Sequence, residues 1–254
     1  MRFVLAAMAG IALSVTAVQA QVRVFGPGGP APAMRDAARR FEDRTGIKVE
    51  IVSGPTGQWI DRARQDAGLV YSGSDTMMTD FVRAMPDALR QADVQPLYDR
   101  PAAILVRKGN PRRIRGFRDL IRGDRKVMVV EGAGQNGLWE DLASRAGGIG
   151  FVQKLRTRIV EVAANSAAAR TAWISRPDID AWIIWNIWQV ENATIADAVP
   201  IERDIVIHRS MAIAATRTGR SSKDTQAFAT FLHGRDAAAI FRRHGWRAPQ
   251  TVLR

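Results

Sequence analysis

Residues 22–46 read VRVFGPGGPAPAMRDAARRFEDRTG, and this stretch decides the fold class. Its first four residues are rich in Val and Phe and predict a β-strand, which ends in the Gly- and Pro-rich loop 26–30. A helix is predicted over residues 31–45, because Pro32 suits a first helical turn and Gly46 suits the residue after the last one. Apolar residues recur at i, i+3, i+4 and i+7 of that helix, which predicts a buried stripe of Met34, Ala37, Ala38 and Phe41.

The same order of strand, loop and helix recurs twice further along the chain. The predicted segments are a strand at 48–52, a loop at 53–57, a helix at 58–65, a strand at 69–71, a loop at 72–74 and a helix that opens at Asp75. Strands that each lead through a loop of small residues into a helix are typical of a parallel α/β sheet. In such sheets, ligands bind beyond the carboxyl ends of the strands.

A second α/β series follows Pro101. Its predicted strands lie at 102–106, 126–130, 159–162 and 179–184, followed by a strand pair or one crossing strand within 205–215 and helices near 224–233 and 235–243. The simplest interpretation is two lobes, each a mostly parallel sheet flanked by helices. Lobe 1 is predicted to hold residues 21–100, with 207–254 returning to it. Lobe 2 is predicted to hold residues 101–206, with the chain crossing near Arg100 and Ile207.

The first twenty residues predict a cleaved signal peptide. Arg2 precedes an uncharged apolar stretch that ends in Val18-Gln19-Ala20, a small-x-small cleavage pattern before Gln21. The expected location is therefore the periplasm. With no Cys and 46% hydrophobic residues, the core is expected to hold the fold without disulfides, and thiolate metal sites and thiol chemistry are excluded. We expect no cofactor and no metal.

The chain is strongly basic, with 37 Lys and Arg against 25 Asp and Glu and a net charge of +12. Such a charge favours anionic partners. Nucleic acid is not an expected partner, because an exported protein meets little of it. The predicted partners are a small anion and a membrane permease or receptor, and the protein is predicted to be a monomer.

A GxGxxG motif spans residues 132–137, after a predicted strand and before a helix that begins at Leu138. This context is typical of a dinucleotide site, and Glu161 falls roughly where a ribose-binding acid is expected. Export argues against NAD as the ligand, although glycines at a helix N-terminus let backbone N–H groups approach any anion. The three histidines, His208, His233 and His244, are scattered, and no GxSxG, HExxH or carboxylate-rich metal loop is present. We therefore predict a binding protein and not an enzyme.

Five loops rich in small hydrogen-bond donors fall between a strand end and a helix start. They contribute the predicted ligand-binding residues Gly28, Gly29, Thr56, Gly57, Ser74, Gly134, Gln135, Asn136 and Ser166. Neutral N–H and O–H donors at the positive ends of helices suit a dehydrated oxyanion. Trp185, at a predicted strand end, is expected to line the same cleft, and Arg209 is the expected countercharge.

At these residues the chain resembles periplasmic solute-binding proteins of the type II molybdate- and sulfate-binding class, and within it most closely the accessory colonisation factor C group. The matching stretches are 24–30, 41–49, 53–59, 107–111, 132–134 with 139–141, 180–183 and 241–246. The resemblance implies a two-lobed clamshell that closes over an anion for transport by an ABC transporter or for sensing, without catalysis.

The resemblance also implies where an oxyanion binds. Molybdate-binding relatives use a serine in each of the first two loops and a tyrosine in the second lobe, and these positions fall near Gly28 and Gly29, at Thr56 and near Trp185. The glycine and the tryptophan remove hydroxyl donors, which leaves room for a different or larger anion of a sulfate-like, phosphonate-like or carboxylate kind. Two alternatives stay open: a binding protein for a small organic acid, such as an amino acid or dicarboxylate held by Arg209, and an exported nucleotide-dependent enzyme.

Overall fold

The computed structural model describes residues 21–132 and 134–248. The predicted signal peptide lies outside the described residues. The strands are β1 (Gln21–Gly26), β2 (Lys48–Ser53), β3 (Leu69–Tyr71), β4 (Val94–Arg107), β5 (Val127–Val130), β6 (Ile159–Ala163), β7 (Ala181–Trp185), β8 (Ala196–Pro200) and β9 (His208–Ala215). The helices are α1 (Ala31–Thr45), α2 (Ile60–Asp66), α3 (Asp75–Ala84), α4 (Leu138–Arg156), α5 (Ser166–Ser175), α6 (Ile187–Glu191), α7 (Arg217–Ser221), α8 (Lys223–Leu232) and α9 (Arg235–Arg243).

The first strand, loop and helix form as predicted. Helix α1 spans Ala31–Thr45 with proline in its first turn, and its predicted apolar stripe is buried. Gly46 ends the helix at φ 72°, where its N–H donates to the Glu42 carbonyl at 2.8 Å. That left-handed conformation suits glycine, because it has no Cβ to clash.

The strands form one mixed sheet in the order β2-β1-β3-β9-β4-β7-β5-β6, and β8 pairs with β4. Pairing is parallel within β2-β1-β3 and within β7-β5-β6, and the strands β9, β4 and β8 join these two groups by antiparallel pairs. Residues 94–101 of β4 pair with β9, whereas residues from Ala102 onward pair with β7 and β8. One long strand therefore runs through both halves of the sheet.

The helices pack in two groups that follow the two halves of the sheet. Helix α1 packs against β2, α8 and α9, and α8 also packs against β9. Helix α5 packs against β5 and β6, and α6 packs against β7 and β8. Within the described residues, no helix is both long enough and apolar enough to cross a membrane.

Several elements differ from the sequence-based expectation. The strand expected at 102–106 is only the second part of β4, which begins at Val94 and carries an irregular register between Pro96 and Asp99. The region 205–215 holds a single strand, β9, and the strand β8 was not expected. The helix expected at 58–65 is a short 3-10 turn, Thr56–Gln58, followed by α2. Helix α4 is broken where Gly147 and Gly148 leave helical geometry.

Candidate ligand-binding site

The carboxyl ends of strands from both parallel groups of the sheet meet at a cavity of about 380 Å³. It is bounded by the loops that follow β1, β2, β3, β5 and β6, as the sequence predicts for a parallel sheet. Six of the predicted ligand-binding residues line it: Gly28, Gly29, Thr56, Gly134, Gln135 and Ser166. Another hollow of about 400 Å³ lies beside Arg64 and Arg217, and both of these arginines are exposed.

The remaining predicted residues lie around the cavity but are not among the described residues that line it. The hydroxyl of the buried Ser74 accepts the Met77 N–H at 3.1 Å and caps α3. Trp185 is fully buried, and its Nε1–H donates to the Gly134 carbonyl at 3.1 Å. Gly57 follows Thr56 in the 3-10 turn on the exposed side. Asn136 meets Arg209 through its backbone carbonyl.

Among the described residues that line the cavity, the charged one is Arg100, for which the sequence predicted only a position near a lobe crossing. Its side chain belongs to β4 and is 3% exposed. The guanidinium carbon lies 4.8 Å from the centroid of the Trp185 ring and 4.7 Å from that of Trp246. These distances are those of cation–π contacts, which hold the cation by its aromatic surroundings and leave its N–H groups free.

The hydrogen-bonding capacity of Arg100 is largely unused. Neither Nε nor Nη1 has a partner among the described residues, and no described carboxylate forms an ion pair with it. Its Nη2 lies 3.5 Å from the position that a Cβ on Gly73 would take, and 4.0 Å from the corresponding position on Gly134. Since both glycines line the cavity, an added side chain there would crowd the guanidinium.

Burial, together with a smaller effect of the nearby positive charge of Arg209, lowers the pKa of Arg100 to about 9. The guanidinium is therefore still charged at neutral pH, and it has no ion-pair partner among the described residues. A buried, unpaired charge of this kind costs several kcal/mol. An anion in the cavity would offset that cost, because it supplies both the opposite charge and the missing acceptors.

Arg209, the expected countercharge, holds the loop that follows β5. Its Nη1 donates to the Gly134 carbonyl at 3.0 Å and its Nη2 donates to the Asn136 carbonyl at 2.7 Å. Burial lowers the pKa of Arg209, and the charge of Asp141 acts in the opposite direction. With Trp185 donating to the same Gly134 carbonyl, two side chains fix the position of this loop.

The loops after β5 and β6 are joined by side chains that face the cavity. Gln135 Nε2 donates to the Ser166 hydroxyl at 3.1 Å, and Asn165 accepts the Ala168 N–H at 2.9 Å to cap α5. The N-termini of α1 and α5 both lie at the cavity, so the positive ends of their dipoles favour an anion there.

The structure argues against residues 132–137 as a dinucleotide site. Glu161, the expected ribose-binding acid, is engaged by Arg176, whose Nη1 lies 2.8 Å from its Oε2. The described residues also contain no cluster of three or more His, Cys, Asp or Glu side chains that could hold a metal ion.

A mixed α/β sheet with helices on its faces, and a cavity at the carboxyl ends of its strands, is the architecture of type II periplasmic binding proteins. The family model described as bacterial extracellular solute-binding protein matches residues 22–247. The chain therefore belongs to the bacterial extracellular solute-binding protein family.

The solved structures similar to this chain include PEB3 with bound L-phospholactate, at 36% identity and a TM-score of 0.83, covering 90% of this chain and 100% of that one. Peb3 from Campylobacter jejuni matches at the same identity and coverage, with a TM-score of 0.82. The periplasmic molybdate-binding protein of Azotobacter vinelandii shares the fold at 15% identity and a TM-score of 0.69, covering 90% of this chain and 100% of that one. No curated protein sequence matches the chain.

Proposed function

We propose that this protein captures a small anion in the periplasm and delivers it to an ABC permease or presents it to a receptor. The observation that carries the proposal is Arg100, a buried guanidinium with unpartnered N–H groups beside a cavity. We propose that residues 1–20 are removed on export, that the mature protein is a monomer, and that it resembles the accessory colonisation factor C group.

The proposed capture takes place between two lobes. Lobe 1 comprises residues 21–100 and 207–254, and lobe 2 comprises residues 101–206. The cavity is bounded by loops of both segments, and β4 runs between them. Thr56 and the glycines at 28 and 29 would contact the anion from lobe 1, and the Gly134 loop with Ser166 would contact it from lobe 2.

Two observations favour a small organic acid with a phosphate or carboxylate group over a bare sulfate-like ion. The volume of about 380 Å³ falls within the range of ~300–1,000 Å³ that is usual for small-molecule sites. A relative that is 36% identical over its whole length has been crystallised with L-phospholactate, which carries both kinds of group. A sulfate- or molybdate-like oxyanion is the second candidate, because two sequence-divergent neighbours of the same fold bind those ions.

The available donors are sufficient for tight binding. A hydrogen bond to a charged group contributes about 1.5–3 kcal/mol net. Five such hydrogen bonds from Arg100, Thr56, Ser166 and the loop backbone would contribute about 7.5–15 kcal/mol, and micromolar affinity requires roughly 8 kcal/mol. The excess offsets the entropy lost when the ligand is ordered.

Thermal melting of the mature protein tests the proposal. The probes are sulfate, molybdate, phosphate, a phosphonate, L-phospholactate, aspartate and citrate at one ionic strength. A probe at about 100 times its Kd adds about 2.7 kcal/mol to the free energy of unfolding. Arg100→Met should reduce the response sharply, and Arg83→Met, which removes an exposed arginine of α3, should preserve it. A flat response to every probe overturns the proposal, and co-purified nucleotide detected by mass would instead favour the enzyme alternative.

A further inference from the structure

The imidazole of His244 joins two helices that belong to different halves of the sheet. Its Nε2 lies 2.9 Å from Asp36 Oδ2 on α1, and its Nδ1 lies 3.1 Å from Glu191 Oε1 on α6. Helix α1 packs against β2 and α9, whereas α6 packs against β7 and β8. The His244 side chain is 18% exposed, so this contact is partly shielded from water.

Only the protonated ring can make both hydrogen bonds. An ionised carboxylate accepts hydrogen bonds but donates none, and a neutral imidazole carries a single N–H. In the neutral form, one ring nitrogen would therefore turn a lone pair toward a carboxylate oxygen. The imidazolium removes that repulsion and adds a charge-assisted hydrogen bond to each helix.

The other charged groups near this contact keep their charge when a histidine titrates. On α1, Arg39 donates to the second oxygen of Asp36. Arg170 of α5 and Glu191 line the same small hollow of about 200 Å³. On α9, the helix that precedes His244, the neighbouring charged residue is Arg243. Arginine side chains in general do not change charge between about pH 5 and 8, the range in which imidazole side chains do.

The contact lies at the edge of the ligand cavity. A hollow of about 200 Å³ separates the start of α1 from α6 and is lined by Gly28, Gly29, Pro32, Ile187, Trp188 and Glu191. Three of these residues, Gly28, Gly29 and Trp188, also line the main cavity. Asp36 lies one helical turn beyond Pro32, so His244 bridges α1 and α6 beside this hollow.

A second contact beside His244 does not depend on protons. The Asn186 side-chain amide donates to the Gly245 carbonyl at 2.7 Å. Gly245 has φ 82°, and a Cβ there would lie 3.0 Å from Asn186 Nδ2, so only glycine lets the chain approach the start of α6 this closely. The hydrogen bond between Asn186 and Gly245 holds the chain after α9 against the start of α6, whether or not the His244 contacts are formed.

We infer that His244 is a positioning residue that acts as a proton-dependent clasp between α1 and α6 and holds the two walls of the cleft together. The inference rests on the two-lobed function proposed above. Protonation of His244 favours the closed cleft, and loss of the proton releases α1 from α6.

Pulsed EPR distances test the clasp. The chain contains no cysteine, so spin labels can be placed at Lys48→Cys on β2 and Ile174→Cys on α5, both exposed positions in different halves of the sheet. The ligand-free protein is measured at about pH 5.5 and about pH 8, on either side of the range in which imidazole titrates. We expect a single narrow distribution at the lower pH and a shift to a longer or broader one at the higher pH.

Substitutions separate the clasp from a merely structural role. His244→Gln removes the titrating group, so the same distribution is expected at both pH values. His233→Gln, which replaces an exposed histidine bonded to Gln95, should retain the shift of the parent protein. If His244→Gln fails to fold, Glu191→Leu removes the acceptor on α6 and should also abolish the shift.

Each outcome decides one of the two proposals. An unchanged distribution in the parent protein, or the same pH shift in His244→Gln, overturns the clasp. An anion response in the melting assay together with a pH-independent distance leaves the proposed function intact and rejects only the clasp. A pH-dependent distance without any anion response supports the His244 contact as a proton-dependent clasp and rejects the proposed anion capture.

Discussion

Arg100 of β4 and Arg209 of β9 are directly paired neighbours on adjacent antiparallel strands. Two like charges at such positions destabilise a sheet unless other groups compensate. Arg209 is compensated by the carbonyls of Gly134 and Asn136, whereas Arg100 keeps unpartnered N–H groups beside the cavity. The pair therefore divides two tasks: one arginine holds the loop, and the other is available to an anion.

Arg100→Met is expected to weaken anion binding strongly without weakening the fold. In the complex, the anion and Arg100 would form a buried charge pair. Truncating one partner of such a pair costs about 2–5 kcal/mol of binding, so the Kd for a responding anion should rise at least about thirtyfold. The ligand-free protein loses an unpaired buried charge, and its melting temperature should not fall below that of the parent protein. Isothermal titration and thermal melting measure the two effects.

Arg100→Lys is the matched variant for this experiment. It keeps the positive charge but loses the planar group that lies over Trp185 and Trp246. Its affinity should fall between those of the parent protein and Arg100→Met. Anion binding by Arg100→Met at parental affinity would show that another cation holds the ligand.

The affinity for the anion is expected to fall in alkaline solution. The pKa of Arg100 is lowered to about 9 by burial and by Arg209, and a bound anion favours the protonated guanidinium. Binding therefore takes up a proton once the pH exceeds the pKa of the free protein. The affinity should be constant from neutral pH to about pH 8 and then decrease toward tenfold per pH unit.

The measurement of this pH dependence needs a ligand whose own charge is constant above pH 8, such as sulfate or citrate. Arg209→Met serves as the control, because it removes the neighbouring charge and should move the onset of the decrease to higher pH. An affinity that stays constant beyond pH 10 in the parent protein would contradict the role given to Arg100.

Arg209→Gln is expected to weaken binding less than Arg100→Met. The substitution removes the charged donors to Gly134 and Asn136 but leaves the Trp185 hydrogen bond to the Gly134 carbonyl. A loop held by one contact loses more entropy when a ligand orders it, and we expect an increase of about tenfold in Kd. Titration of both variants with the same anion gives the ranking, and equal losses would mean that Arg209 itself contacts the ligand.

The repeated unit of strand, loop and helix could be predicted because its signals are local. Pro32 and Gly46 mark the two ends of α1, and its apolar stripe has helical spacing. The first part of β4 gave no such signal, since Pro96 and Pro101 interrupt it and its partner β9 lies more than a hundred residues away. The pairing of β4 with β9 is irregular between Pro96 and Asp99, which accommodates proline in the strand. This irregularity depends on the pairing of two distant strands, so the local sequence does not show it.

The loops of the site could also be predicted, but not its buried cation. Gly28, Thr56 and Ser166 follow strand ends, and parallel strands bring such ends to one edge. In the sequence, Arg100 follows Asp99, and charged neighbours of this kind are common on protein surfaces, so the local sequence does not mark Arg100 as buried. Its burial depends on Trp185 and Trp246, which reach it through tertiary packing that no local pattern records. Arg209 was predicted for its charge, and the structure shows the loop that it holds.

Of the glycines described, Gly219 of α7 is the one at which an added Cβ would come closest to another atom, so its substitution should be the most destabilising. A Cβ added to Gly219 would lie 1.8 Å from the Gly68 carbonyl oxygen, so Gly219→Ala requires the backbone to move. Overpacking of this kind costs about 3 kcal/mol, which corresponds to about 6–12 °C in melting temperature for a protein of this size. Gly150→Ala is the control, because nothing lies within 4 Å of its Cβ position in exposed α4, and it should not lower the melting temperature. Equal melting temperatures for the two variants would contradict the contact.

Gly28→Ser is expected to increase affinity for oxyanions. Nothing lies within 4 Å of a Cβ at Gly28, the residue lines the cavity, and its backbone is outside the left-handed region that only glycine adopts freely. The new hydroxyl would restore the first-loop donor that the resemblance to molybdate-binding proteins implies. A hydrogen bond to a charged group contributes about 1.5–3 kcal/mol, so after ordering of the side chain the affinity for molybdate or sulfate should rise about tenfold.

Gly28→Ala isolates the hydroxyl from the added carbon. It places the same Cβ in the cavity without a donor, so its affinity for sulfate and molybdate should not exceed that of the parent protein. For an organic acid that fills more of the cavity, both variants should bind no better than the parent protein, because each removes space. If Gly28→Ser binds sulfate no more tightly than Gly28→Ala, then the first loop does not face the oxyanion, and the ligand lies closer to Ser166 and Gly134 than to the start of α1.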